Sequence, residues 1–155
     1  AISGDGRYIA FNSYAFNLVA GDTNNASDVF VRDTLLGTTT RVSVSSGGAE
    51  ANGASILPTL SANGLRVAFI SDASNLVGDD TNETMDAFVR DTASAATYLV
   101  SRSPSGQPQN EGSSTRGAIA PDGTFLVLET AANNILPEVF DTGWGHRTVF
   151  AVPVP

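Results

Sequence analysis

The sequence has no cysteine among its 155 residues, which excludes disulfide bonds, thiolate metal sites and cysteine nucleophiles together. It also has no lysine, because all eight basic residues are arginine, and 16 acidic residues give a net charge of −8. Phosphate backbones and anionic membranes require a basic face, so we expect no nucleic-acid partner. The longest apolar runs, such as 67–70 and 125–128, are far shorter than the ~20 residues that cross a bilayer. We therefore expect no membrane insertion.

An internal repeat is the dominant feature that the sequence does contain. The segment GDTNNASDVFVRDT at 21–34 returns as DDTNETMDAFVRDT at 79–92, and SGDGRYIAF at 3–11 returns as SANGLRVAF at 61–69. Both pairs share one offset of 58 residues. A third, weaker copy begins with APDGTFLVLETAANNIL at 120–136 and then diverges. We predict that segment 149–151 is the strand equivalent to segment 87–89, after a short insertion.

Each repeat has the pattern of short β-strands separated by turns. Turn signals such as Asn63-Gly64 and Asp122-Gly123 precede runs rich in Val, Ile, Phe and Tyr, which is typical of strands. Segments 7–11 and 66–70 are apolar at both alternating sets of positions, so both faces of each sheet must be covered. Propeller blades, which stack face to face around an axis, meet that requirement, whereas a two-layer sandwich leaves one face polar.

We therefore predict an all-β fold of β-propeller blades, with about 2.7 repeats of ~58 residues and four antiparallel strands in each full blade. In the middle repeat the strands are expected over 55–60, 66–71, 86–91 and 97–103. The whole chain, 1–155, is expected to be one propeller segment. It divides into blade 1 (1–48, without a first strand), blade 2 (49–106) and a divergent blade 3 (107–155, without a last strand).

The motifs S-x-D-G-x-x-(I/V)-A-F, NLV, DTN and D-x-F-V-R-D together resemble the repeats of TolB-like bacterial β-propellers. The resemblance covers essentially the whole chain and is strongest in its first two units. It implies a multi-bladed propeller, often six-bladed, that is exported to the bacterial periplasm or the extracellular medium and commonly binds proteins. Because the chain has too few blades for a closed ring, we expect a partial propeller. A protein partner, or further blades from the same or another chain, including a homo-oligomer, would complete it.

The repeated loops contain candidate metal ligands. Oxygen-bearing side chains occupy positions 1, 3 and 7 of each loop: Asp22, Asn24, Asp28, Asp80, Asn82 and Asp86. This spacing suits a hard cation such as Ca²⁺, although the loop lacks the central Gly and distal Glu of an EF-hand. A second interpretation stays open, because Asp and Asn side chains also cap turns, and the two strand-starting aspartates have Arg32 and Arg90 within reach.

The remaining candidates point to structure as readily as to chemistry. Arg32 and Arg90 recur in consecutive blades, which favours a blade-to-blade salt bridge or a packing role over an active site. Trp144 lies between two glycines beside His146, a pair suited to stacking on a sugar and transferring a proton. A loop aromatic and a surface histidine are the alternative, since the sequence has no paired base, nucleophile elbow or HExxH motif.

The function predicted from these features is that of a non-enzymatic, extracytoplasmic scaffold or protein-interaction module, with Ca²⁺ as the one candidate cofactor of the DTN loops. No catalytic residue is assigned. Two alternatives remain: a fragment of a propeller glycoside hydrolase or polysaccharide lyase with its catalytic residues on other blades, or a glycan-binding, lectin-like propeller that uses Trp144. The first residues, AISGDGRYIAF, do not form a secretory signal, so we expect any such signal to have been removed or to lie outside this chain.

Overall fold

A computed structural model, which describes residues 1–110, 116–135 and 148–155, has three antiparallel β-sheets. We call them blades 1, 2 and 3. The strands are β1 (Tyr8–Ser13), β2 (Asp28–Asp33), β3 (Thr38–Arg41), β4 (Ser55–Leu60), β5 (Arg66–Ser71), β6 (Asp86–Asp91), β7 (Ala96–Leu99), β8 (Arg116–Ile119), β9 (Phe125–Thr130) and β10 (Thr148–Pro153). The strand orders of the three blades are β1-β2-β3, β4-β5-β6-β7 and β10-β9-β8.

The predicted fold class is confirmed, because the described residues form strands and turns without a helix, and they form three antiparallel sheets, of which blade 2 has four strands and blades 1 and 3 have three each. Within these ranges there is accordingly no helix of the length and apolarity that a membrane span requires. In blade 2, the first three strands have their predicted limits. The fourth strand ends four residues before the predicted end, at Leu99, because the Ser101 hydroxyl then turns inward to bind Asp86 at 2.5 Å.

The pairing register in blade 3 confirms the predicted equivalence of segments 149–151 and 87–89. Leu128 pairs with Phe150 in blade 3 as Phe69 pairs with Phe88 in blade 2. β10 is therefore the third strand of the blade pattern, although the sequence before it has diverged from the repeat.

Blade 2 is covered on both faces because alternate side chains of its strands enter two different cores. The first core lies between blades 1 and 2, and its buried members include Ala10, Val29, Val31, Val67, Phe69 and Phe88. The second core lies between blades 2 and 3 and includes Ala68, Ile70, Ala87, Val89, Leu126, Leu128 and Phe150. This arrangement explains why the middle strands are apolar at consecutive positions, 67–70 in β5 and 87–89 in β6.

Hydrogen bonds from the asparagine at the NLV position also join blades 2 and 3 to the connectors that precede them. Asn75 Oδ1 accepts the Asn52 N–H at 2.9 Å, and Asn75 Nδ2 donates to Glu50 O at 2.8 Å. The next blade repeats this contact with Asn134, whose side chain binds Asn110 N–H at 3.0 Å. The loops that follow β5 and β9 thereby hold the connectors at one end of the strands, where the candidate metal ligands also lie.

Candidate functional site

The DTN loops connect β1 to β2 over residues 14–27 and β5 to β6 over residues 72–85. An asparagine side chain closes a tight turn in each loop. Asn24 Oδ1 accepts the Ala26 N–H at 2.8 Å, and Asn82 Oδ1 accepts the Thr84 N–H at 3.2 Å. The residue enclosed by each turn has a positive φ, 53° in blade 1 and 56° in blade 2. The middle residue of the proposed ligand spacing thus has a turn-forming role in both blades.

Each loop ends at a fully buried aspartate that begins the next strand. The Ser43 hydroxyl donates to Asp28 Oδ1 at 2.6 Å, and the Ser101 hydroxyl donates to Asp86 Oδ1 at 2.5 Å. The same two hydroxyls accept a backbone N–H from the strand, at 3.1 and 3.0 Å. One carboxylate oxygen of each aspartate is therefore held identically, and the two blades differ in what surrounds the other oxygen.

In blade 1 an arginine lies among three carboxylates. Asp22, Asp28 and Glu50 each place an oxygen within 4.8 Å of the other two. The guanidinium nitrogen Nη1 of Arg41 is 3.8 Å from Asp22 Oδ1 and 3.5 Å from Asp28 Oδ2, and it also contacts Glu50 Oε1. Asn24 Nδ2 donates to Asp28 Oδ2 at 3.0 Å. This cluster is thus compensated by a positive charge that belongs to the protein.

The electrostatics of the cluster follow from burial and from these partners. Burial raises the pKa of Asp28, and the bonds from Ser43 and Asn24 together with the charge of Arg41 oppose that rise only in part. Burial also acts to raise the pKa of Glu50, but two hydrogen bonds from Thr23 and the charge of Arg41 outweigh it, so that pKa is lowered. Both carboxylates therefore depend on hydrogen-bond donors and on the guanidinium to remain charged inside the cluster.

In blade 2 the corresponding loop has no such arginine. Leu99 occupies the position of Arg41 in the repeat, and Pro108 occupies that of Glu50. Burial raises the pKa of Asp86 to about 6, and the negative charge of Asp80 acts in the same direction, while the side chains of Ser101 and Asn82 and the charge of Arg102 oppose the rise only in part. Burial raises the pKa of Asp80 as well. The blade 2 loop thus has two carboxylates of the cluster, Asp80 and Asp86, but no counterpart of the Arg41 guanidinium.

The six predicted ligands therefore fall into two different surroundings. Asp22 and Asp28 are brought together in blade 1, as their spacing suggested, and whether either loop binds a metal ion stays a prediction. Sequence reasoning missed Glu50 and Arg41, because they come from a different strand and connector. A signal was present all the same: the acid and the base occur together in the first repeat and are both replaced in the second.

The suggested pairing of the strand-starting aspartates with the FVRD arginines is wrong. Arg32 Nη1 donates to Thr39 Oγ1 at 3.1 Å on the neighbouring strand. Arg90 Nη1 donates to Thr97 Oγ1 at 2.9 Å and to Ser45 O of blade 1 at 3.1 Å. An arginine four residues after an aspartate in a strand lies at the other end of that strand, which is too far away for a contact. Arg90 instead joins two blades by a hydrogen bond to backbone.

The remaining predicted ligand-binding residues, Trp144 and His146, lie outside the described residues.

Comparison with known proteins identifies the fold. No protein-family model matches the chain, and no curated protein matches it. Among solved structures, TolB from Acinetobacter baumannii matches with a TM-score of 0.50 at 15% identity. A protein assigned as TolB from Agrobacterium tumefaciens matches with a TM-score of 0.54 at 14% identity. One of two prolyl endopeptidases analysed together matches with a TM-score of 0.54 at 13% identity.

These matches cover nearly all of this chain but only part of each neighbour. The alignments span 99%, 98% and 99% of this chain, and 31%, 49% and 20% of the three neighbours in the same order. At this level of identity the likeness shows the fold, which is that of a TolB-like β-propeller with part of its blades.

Proposed function

We propose that this segment of a TolB-like β-propeller is a non-enzymatic scaffold or protein-interaction module whose outer faces bind further propeller blades. The observation that supports the proposal is a mismatch in burial along the array. Three positions that are buried in blade 2, where it meets its neighbours, have exposed apolar counterparts on the outermost faces, namely Val127, Val149 and Ile9.

The mismatch is clearest on blade 3. In blade 2, Ala68 and Ala87 are 2% and 0% exposed because they face blade 3. The register of the strands places Val127 and Val149 at the same positions in blade 3, where they are 42% and 64% exposed. Replacing alanine by the larger valine increases the apolar area that a further blade would remove from water.

Blade 1 has the corresponding feature on its opposite face. Val67 of blade 2 is fully buried against blade 1, whereas its counterpart Ile9 is 37% exposed. β10 is also an edge strand of its sheet, and edge strands offer unpaired backbone groups to another strand, whereas the outer edge of β1 is already paired in part by residues 1–3. The faces at both ends of the array and the edge of β10 therefore suit the same kind of partner, another blade.

The non-enzymatic part of the proposal is supported by the roles of two arginines in blade 2. Arg90 joins blade 2 to blade 1, and Arg66 Nη1 donates to Gly123 O of blade 3 at 2.9 Å. Such contacts hold blades together. An extracytoplasmic location, in the bacterial periplasm or outside the cell, belongs to the same proposal and is suggested by the TolB-like fold. Fractionation of the source cells tests it, and recovery of the protein in the cytoplasm would contradict it.

The partner surface is tested by measuring molar mass with light scattering over a range of concentrations, using a second copy of the chain as the source of blades. We expect association that increases with concentration. Val149→Lys should weaken it by placing a charge in the interface. Leu36→Lys is the matched control, because Leu36 is 66% exposed in the turn between β2 and β3. A folded monomer at every concentration, or equal effects of both variants, would contradict the proposal.

A further inference from the structure

We propose that the blade 2 loop, residues 79–86, is a binding site for a hard cation with the properties of Ca²⁺, whereas the equivalent loop of blade 1 is closed by the guanidinium of Arg41. Both DTN loops would then surround a positive charge, which is the guanidinium of Arg41 in blade 1 and a cation bound from solution in blade 2. This inference does not depend on the proposed scaffold function.

The first observation is a pair of buried oxygen atoms without partners. In the part of the chain that the structure describes, three buried side-chain polar atoms have no hydrogen-bond partner: Arg41 Nε, Thr84 Oγ1 and Asp86 Oδ2. Two of these are oxygens of the blade 2 loop, and Asp86 is fully buried. A buried oxygen without a donor is costly, especially on a carboxylate, and a bound cation would remove that cost.

The second observation is the internal comparison between the blades. In blade 1, the oxygen equivalent to Asp86 Oδ2 accepts a hydrogen bond from Asn24 and lies 3.5 Å from Arg41 Nη1. In blade 2, Asn82 Nδ2 donates to Gln109 O at 2.8 Å, as Asn24 Nδ2 donates to Ala51 O at 2.9 Å, but Asp86 Oδ2 has no hydrogen-bond partner, and Leu99 replaces the arginine. The carboxylates of the repeat are retained while the positive charge is absent, so the blade 2 loop requires a cation from outside.

The nearest arginine does not replace this charge. Arg102 Nη2 donates to Asp79 Oδ1 at 2.6 Å, and the Asp79 side chain is 66% exposed. That ion pair lies at the surface. The attraction of Arg102 lowers the pKa of Asp86 less than burial raises it, so the buried carboxylate remains poorly compensated.

The available ligands determine which kind of cation fits. Asp80 and Asp86 supply carboxylate oxygens, and Thr84 supplies a hydroxyl oxygen. The loop has no cysteine or histidine, so the donors are all hard oxygens, as Ca²⁺ prefers. Backbone carbonyls and water would complete the six to eight ligands that Ca²⁺ usually takes. Asn82 Oδ1 closes the turn and would hold the loop rather than the ion.

Isothermal titration of the metal-free 155-residue chain with Ca²⁺ tests the site. We expect one ion per chain, and a melting temperature raised by roughly 5 to 10 °C at about 100 times the dissociation constant. Asp80→Asn should abolish binding, and Thr84→Val should weaken it. Asp22→Asn is the matched control, because Asp22 is equivalent to Asp80 in blade 1, and it should leave the binding of one ion intact.

A gain of binding provides the sharper test. Arg41→Leu gives blade 1 the residue that blade 2 already has, and it leaves Asp22, Asp28 and Glu50 without their guanidinium. We expect this variant to bind two ions per chain, with the second lost again when Asp22→Asn is added. The proposal is overturned if the folded wild type shows no binding heat, if binding survives Asp80→Asn, or if folded Arg41→Leu still binds one ion. Far-UV circular dichroism establishes that each variant is folded.

Discussion

At the residue scale, the aspartate that ends each FVRD motif shows how the repeat keeps a contact while changing its partner. Asp33 accepts hydrogen bonds from Arg7 Nε and Nη2, the latter at 2.7 Å, and Asp91 accepts one from Arg66 Nε at 3.3 Å. The two arginines are not at equivalent repeat positions. Each aspartate also accepts two backbone N–H bonds in the turn that follows it. The hydrogen bonds in the turn explain why the aspartate recurs in both blades, and the arginine that pairs with it comes from a different repeat position in each.

The pair of Arg7 and Asp33 predicts a pH dependence of stability. The hydrogen bonds from Arg7, aided by those from the turn, lower the pKa of Asp33 from 3.8 to about 2. A carboxyl whose pKa is lower in the folded protein adds stability above its unfolded pKa and loses that contribution as the pH falls. We expect this contribution to disappear between about pH 5 and pH 2, and urea unfolding over that range measures it.

Arg7→Gln should make the loss of stability on acidification shallower, because the carboxyl of Asp33 then titrates closer to its ordinary pKa. Arg32→Gln is the control, since Arg32 precedes Asp33 in the chain but binds Thr39, and its pH profile should follow the wild type. Parallel profiles for wild type and Arg7→Gln would contradict the assignment.

At the element scale, the asparagine of the NLV loop links a blade to its preceding connector by hydrogen bonds in blades 2 and 3. Blade 1 provides an internal control. Asn75→Ala removes the bonds to Asn52 N–H and Glu50 O. With a net value of about 0.5 to 1.5 kcal/mol for each hydrogen bond, we expect a loss of about 1 to 2 kcal/mol in the free energy of unfolding. Chemical denaturation measures it.

Asn17→Ala changes the equivalent residue of blade 1, which is exposed and makes no side-chain hydrogen bond within the residues the structure describes. A surface substitution without such a contact should change stability by no more than about 0.5 kcal/mol. Equal losses in the free energy of unfolding for Asn17→Ala and Asn75→Ala would mean that the asparagine stabilises its own loop and not the contact with the connector.

The elements also show how far sequence reasoning reaches. The strands of blade 2 were predictable because alternation, turn signals and the 58-residue register are all local or repeated. The end of β7 was not predictable, since Val100 is still apolar and the end of the strand is accompanied by a hydrogen bond from the Ser101 side chain to Asp86, a residue of another strand. The contacts of Arg41 depend on a connector nine residues further along the chain, and no local spacing rule identifies such a pair.

At the scale of the whole molecule, blade 2 differs from its neighbours because it packs against an inter-blade core on each of its two faces. Its strands β5 and β6 are paired along both edges and buried on both faces. β1 and β10 are each the outermost strand of their sheet, and Ile9 and Val149 on these strands are exposed. The array should therefore be most stable at its centre, unlike a closed ring, in which every blade has two neighbours.

Native-state hydrogen exchange tests this gradient within a single sample. We expect the amides of β5 and β6 to exchange only through opening events close to global unfolding, because their exposure requires both cores to separate. The amides of β1 and β10 should exchange through smaller openings, and more so at concentrations too low for association. If another blade covers the ends, raising the protein concentration should slow exchange in β1 and β10 selectively. Equal protection of all three blades at low concentration would contradict both the gradient and its origin in the unpartnered outer faces.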